Sequence, residues 1–211
     1  MKLLNKLEIK RFEKLFHEIT DDAYRFEQFW EYLRLLLKWN EKINLTAIRG
    51  PDEIIEGHFY DSLVLVPYIS KRGKVLDIGS GPGFPGIPIK IALPEVSLTV
   101  VEANKKKADF ITEVVRRLRL DSVRVLNHYL KPGESVGSFD QNVSRGTFRL
   151  IELWGLARHN LGHGGKLLTL KGADPGDEIQ ELKGIYPALN VTPILYRLPR
   201  LCKTRSIIVI E

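Results

Sequence analysis

One stretch of this chain limits its fold more than any other. Val75-Leu76-Asp77-Ile78 is a short run of β-forming character, and Gly79, Gly81, Gly83 and Gly86 follow it before the next apolar segment begins. A strand ending near Asp77, a glycine-rich turn and a helix from about Gly86 form the arrangement by which a doubly wound sheet brings its backbone up to a nucleotide. Glycine there removes the side chains that would hold a ligand off. A plain tight strand-to-helix turn uses the same glycines, so the surrounding pattern has to decide.

From Lys74 onward, short apolar runs rich in branched residues recur with longer segments between them, as a parallel sheet covered on both faces requires. Strands are predicted at 75–78, 97–101, 122–126, 139–144, 166–171, 191–198 and 206–211, with helical segments separating the first five. The last two are joined by 199–205, too short for a crossover helix, and must therefore pair antiparallel.

The first 70 residues read as helices. Phe26, Phe29, Trp30, Leu33, Leu36 and Leu37 recur at three- and four-residue steps, which predicts a helix over 21–39 capped by Asp21 or Asp22. A shorter amphipathic helix is predicted before it, with Leu4, Leu7, Phe12, Leu15, Phe16 and Ile19 as its apolar side. A third is predicted over 51–69, with Pro51 in its first turn. The expected architecture is α/β: a helical cap over 1–70, then a domain over 71–211 with a mostly parallel seven-stranded sheet and an antiparallel final hairpin.

The composition disfavours several classes. No run approaches the roughly 18 uncharged apolar residues of a membrane-spanning helix, and the start mixes Lys, Glu and Arg through its leucines, which argues against membrane insertion and secretion. The lone Cys202 offers neither a disulfide nor a metal cluster, and His17, His128, His159 and His163 show no metal spacing. A cytoplasmic protein without a metal is expected. The net charge of +6 is uneven: residues 1–70 carry 10 basic and 12 acidic side chains, residues 71–211 carry 22 and 14. That surplus suits a polyanionic partner, although many enzyme surfaces are as basic.

Gly81, Gly83 and Gly86 fit the G-x-G-x-x-G spacing of dinucleotide sites, but Pro82, Pro85 and Pro88 remove backbone donors that a pyrophosphate needs at a helix start. A nucleoside without phosphates loses nothing there, and S-adenosylmethionine is such a ligand. Asp77 at the strand end could offset positive charge on its amino acid end. Glu102, 21 residues beyond Gly81, closes the second strand where a carboxylate can accept both ribose hydroxyls.

Asp77-x-Gly79-x-Gly81-x-Gly83 resembles the first motif of class I (Rossmann-like) S-adenosylmethionine-dependent methyltransferases. Further segments resemble the RsmG (GidB) family: Trp39-Asn40, Lys42-Ile43-Asn44-Leu45-Thr46, His58-x-x-Asp61-Ser62-Leu63, Gly83-Phe84-Pro85-Gly86-Ile87-Pro88, Lys105-Lys106, Ser144-Arg145 and Lys171-Gly172. The resemblance runs from about Leu36 to the C-terminus. It implies methylation of N7 of one guanine, guanine 527, in bacterial 16S rRNA. It also implies cofactor contacts from Gly79, Phe84, Leu130 and Lys131, the last two beside the adenine, and from Arg145 near the methyl-transfer end. Tyr129-Leu130-Lys131 stands where the family usually reads Arg-x-Glu, and Gly146 follows Ser144-Arg145 where it usually reads Ala.

The residues fit this acceptor. An exocyclic amine calls for an Asn/Asp-Pro-Pro-aromatic turn after the fourth strand, and Asn142-Val143-Ser144-Arg145 stands there instead. Methylation at a pyrimidine C5 uses a cysteine nucleophile, whereas Cys202 lies in the final turn. Guanine N7 has a free lone pair and no proton to remove. Substrate contacts are expected from Arg145 and Lys171 at strand ends and from Arg197, Arg200, Lys203 and Arg205 around the last hairpin. Arg116, Arg117, Arg119 and Arg124 are expected to be solvated surface, and His58 with Asp61 to brace cap to core. The resemblance implies 16S rRNA or the small ribosomal subunit as partner, an assembly intermediate included, and a monomer is expected. Two rivals stay open: a small-molecule methyltransferase, and an inactive rRNA-binding or ribosome-assembly protein.

Overall fold

The computed structural model describes residues 23–48, 50–146 and 148–211. The helix predicted from Leu4 to Ile19 and the caps Asp21 and Asp22 lie outside the described residues. Seven strands form one sheet: β1 (Lys74–Ile78), β2 (Ser97–Glu102), β3 (Val123–Asn127), β4 (Phe139–Arg145), β5 (Leu161–Lys171), β6 (Val191–Arg197) and β7 (Thr204–Ile210). Their spatial order is β3-β2-β1-β4-β5-β7-β6. The first five are parallel, and β7 lies antiparallel between β5 and β6, as the short final connection demands. The order reverses between β1 and β4, so a crevice opens at the carboxyl ends of the strands there.

Helices cover both faces of the sheet: α1 (Ala23–Asn40), α2 (Pro51–Ile54), α3 (Asp61–Leu63), α4 (Gly86–Ala92), α5 (Lys105–Arg117), α6 (Leu150–Ala157) and α7 (Gly176–Ile185). Alternation along β1 sends Val75 to one apolar cluster and Leu76 and Ile78 to the other. The first cluster joins Phe29, Tyr32, Leu33 and Leu36 of α1 to Ile87, Val100 and Phe110, so the helical segment and the sheet share one core. The second packs Leu150, Leu153 and Trp154 of α6 and Leu182 of α7 on the opposite face.

Three expectations are corrected in detail. The third predicted helix is not uniform: Ile55–Tyr60 between α2 and α3 is a π-helical turn, and a 3-10 turn, Val66–Tyr68, ends the segment. No helix links β3 to β4. Residues 128–138 contain Pro132 and Gly133, the latter at φ +86°, and are tied by Asn160, whose side chain takes the Val136 N–H at 2.8 Å and donates to the Glu134 carbonyl at 3.0 Å. Finally, β5 begins at Leu161, five residues before the predicted start. Gly162, Gly164 and Gly165 hide the alternation there, and the pairing with β4 passes through an irregularity between Phe139 and Gln141. A Cβ on Gly165 would lie 3.0 Å from the Phe139 carbonyl, so the close approach needs glycine.

Candidate functional site

The turn after β1 satisfies its own amides. Gly79 and Ser80 donate to the Val101 carbonyl at 3.0 and 3.3 Å, Gly83 and Phe84 to the Ser80 carbonyl at 3.0 and 2.9 Å. The Gly81 N–H goes to Glu102 Oε2 and the Gly86 N–H to Asp77 Oδ2, each at 2.8 Å. With Pro82, Pro85 and Pro88 lacking an N–H, this turn holds no spare row of donors for a diphosphate. Two glycines are compulsory. A Cβ on Gly86 would sit 2.6 Å from Asp77 Oδ2; one on Gly83, at φ +104°, would sit 2.5 Å from Tyr32 Oη.

Asp77 is fully buried and also accepts from Ser80 Oγ at 2.5 Å. Burial pushes its pKa up to about 7, against the pull of those two hydrogen bonds. Asp77 therefore braces the turn from behind and presents no surface to a ligand, in contrast to the role expected from its place at the strand end. Phe84 likewise faces inward, stacked on Tyr32 at 5.3 Å between ring centres and on His58 at 4.6 Å.

In front of the turn lies a cavity of about 610 Å³. Ile78, Gly79 and Gly81 line it from β1 and the turn, Val101, Glu102 and Ala103 from the end of β2, and His128, Tyr129, Leu130 and Pro132 from the segment after β3. Phe148, Glu152 and Leu156 close the far side, and Lys107 also contributes. At Gly81, φ +60°, a Cβ would meet no atom within 4 Å. Glu102 is nearly buried, and each of its oxygens takes one backbone N–H, Gly81 on Oε2 and Asn104 on Oε1, which leaves lone pairs for further donors. Apolar walls beside one such carboxylate suit an uncharged nucleoside.

A second group of polar side chains lies at the end of β4. Arg145 donates to the Gly57 carbonyl at 2.9 Å, lies 5.0 Å from the Phe84 ring centre and stands 3.7 Å from Asp61. Buried Asp61 accepts the Tyr196 hydroxyl at 2.6 Å, with Arg205 3.8 Å away, so it does brace the helical segment to the final hairpin. His58 Nε2 lies 2.9 Å from Thr46 Oγ1. Burial, helped by the Arg145 charge, pulls the His58 pKa down to about 3. Burial also lowers Arg145, with Asp61 opposing.

Residues 25–197 match the family model described as rRNA small subunit methyltransferase G. The ribosomal RNA small subunit methyltransferase G of Stenotrophomonas maltophilia (strain K279a) is 40% identical over 173 residues, 82% of this chain and 81% of that protein. The protein of the same name from Pseudomonas aeruginosa (strain LESB58) is 39% identical over 161 residues, 76% and 75%. This chain belongs to the GidB family of rRNA small subunit methyltransferases G. Among solved structures, the ribosomal protein L11 methylase of Lactobacillus delbrueckii subsp. bulgaricus superposes with a TM-score of 0.59 at 14% identity, covering 74% of this chain and 78% of that one. A SAM dependent methyltransferase from Aquifex aeolicus gives 0.57 at 16%, covering 79% and 96%. The resemblance drawn from the motifs and the class I fold expected with it are both borne out.

Of the residues singled out for this GidB chain, Gly79, Gly81, Glu102 and Leu130 meet at the cavity. Lys131 is outside its lining; its side chain is exposed and its N–H is held by Glu134 at 2.9 Å. Arg197 and Arg200 are exposed on the final hairpin. Lys171 departs from the expectation of a substrate contact: it is nearly buried, donates to the Phe148 carbonyl and is paired with Glu178 at 2.7 Å, which neutralises it internally. Motif reasoning missed Tyr129, Phe148, Glu152 and Leu156 of the lining. It also missed Glu56, whose buried carboxylate accepts the Arg200 and Leu201 N–H groups at 2.5 and 2.7 Å. Its one sequence signal was an acid in the middle of an apolar helical run.

Proposed function

We propose that this protein transfers the methyl group of S-adenosyl-L-methionine to N7 of guanine 527 in bacterial 16S rRNA. It acts as a cytoplasmic monomer on the RNA, the small ribosomal subunit or an assembly intermediate. The observation that carries the cofactor assignment is the pairing of a glycine turn with internally satisfied amides to Glu102 beside a 610 Å³ cavity. When bound, S-adenosylmethionine supplies a sulfonium methyl: the S–C bond breaks as the N7–C bond forms, and the positive charge passes to the base. Glu102 accepts the ribose hydroxyls, Ile78, Val101 and Leu130 wall the base, and Gly79 and Gly81 permit close backbone approach. Arg145, by family resemblance, lies near the methyl-transfer end. The exposed Arg197 and Arg200 and the half-buried Arg205 offer cations to RNA phosphates. Since N7 has no proton to lose, positioning of the two reacting atoms dominates and no general base is needed.

Incubating the protein with tritiated S-adenosylmethionine and small-subunit RNA lacking the modification, then mapping the product by mass, tests this reading. One N7-methylguanine is the expected product. Binding of S-adenosylhomocysteine without transfer to RNA would redirect the assignment to a small-molecule acceptor. No binding at near-millimolar ligand would leave an RNA-binding protein without the activity.

A further inference from the structure

Tyr129 is one of three large apolar or aromatic side chains among the described residues that are left conspicuously exposed, at 71%, and it lies at the mouth of the cavity. The backbone that carries it is clamped on both sides. Before it, the Asn127 side chain donates to the Glu102 and Ala103 carbonyls, each at 3.0 Å, and the His128 N–H reaches the Glu102 carbonyl at 3.2 Å. After it, the Lys131 N–H is held by Glu134, which also takes the His128 ring at 2.8 Å. The next residue, Leu130, is buried and lines the same cavity. Glu102 and Asn127 are direct partners in the β2–β3 register, so the segment 128–130 leaves the sheet beside the carboxylate assigned to the ribose. Beside that carboxylate the cavity therefore offers an aliphatic wall at Leu130 and an uncovered phenol ring at Tyr129.

We propose that Tyr129 stacks on the adenine of the cofactor and closes the outer side of its pocket, a contribution to cofactor affinity beyond that of Glu102. This inference rests on the cofactor assignment made above. Stacking needs only the ring, and base–aromatic contacts of this kind change affinity by about tenfold or more on truncation to alanine.

Calorimetric titration of the full chain with S-adenosylhomocysteine tests it. Tyr129→Ala is expected to raise Kd about tenfold, and Tyr129→Phe to restore wild-type affinity. In steady-state assays the loss should fall on KM for S-adenosylmethionine and leave KM for RNA in place. An unchanged Kd in Tyr129→Ala overturns the proposal, as does a defect confined to KM for RNA, which would put the ring against the substrate. A loss in Tyr129→Phe equal to that in alanine also overturns it, because the hydroxyl would then be responsible. Failure of the wild-type chain to bind S-adenosylhomocysteine removes the cofactor assignment itself and is told apart by that control.

Discussion

Asp77 and His58 are buried titratable groups whose pH effects run in opposite directions. Asp77 is shifted from 3.8 to about 7, so the stability it contributes is full below pH 3.8 and is lost as pH rises through about 7. His58 is shifted from 6.5 to about 3, so its contribution is full above pH 6.5 and is lost as pH falls through about 3. Urea unfolding across this range is expected to show the two slopes separately in variants. Asp77→Asn should abolish the decline toward neutral pH, and His58→Phe should abolish the loss toward acid; curves parallel to wild type would contradict the assignment. Glu102→Ala should weaken S-adenosylhomocysteine binding at least tenfold, since a charge-assisted hydrogen bond contributes about 1.5–3 kcal/mol. Gly83→Ala combines a left-handed φ with a Cβ 2.5 Å from Tyr32 Oη, and should cost about 3 kcal/mol in chemical denaturation.

At the scale of elements, the π-helical turn Ile55–Tyr60 is the junction of the structure. Successive residues there serve three neighbours: Glu56 holds the amides of the β6–β7 turn, Gly57 offers its carbonyl to Arg145, and His58 stacks on Phe84. Glu56→Ala leaves two amides without their acceptor, and should speed hydrogen exchange at Arg200 and Leu201 while costing about 2 kcal/mol of stability. Exchange unchanged at those two amides would show that the turn holds itself. Strand number and the antiparallel end of the sheet were legible from branched runs and connection length. The segment after β3 was not, because Pro132 and Gly133 punctuate it without revealing that Asn160 holds its backbone. The early start of β5 was hidden because glycine carries no side chain to show an alternation.

Taken whole, the chain divides by composition but not by packing. Phe29, Tyr32, Leu33 and Leu36 have no exposed surface and pack in the same cluster as Ile87, Val100 and Phe110 of the sheet side. Burial of one such side chain contributes about 1.5–3 kcal/mol, and a domain's net stability is about 5–15 kcal/mol. A fragment beginning at residue 71 is therefore expected to lack a cooperative unfolding transition, as calorimetry or near-ultraviolet circular dichroism can test. A sharp transition near that of the full chain would show that the sheet stands without the helices. No helix among the described residues is long and apolar enough to cross a membrane.

Local sequence by itself determined the strand–turn–helix unit, the order of the strands along the chain, and the fitness of the turn for a nucleoside. Each follows from chemistry within a few residues: branched runs, glycine spacing and prolines that carry no N–H. Tertiary structure decided which way each polar side chain faces. Asp77, Lys171 and Arg145 all stand at strand ends in the sequence, yet the fold turns the first onto its own loop, the second onto Glu178 and the third onto Gly57 beside Asp61. Buried charge and backbone donors find acceptors wherever the closing core places them, and those acceptors lie 88 residues away along the chain for Arg145 and 145 for the Leu201 amide.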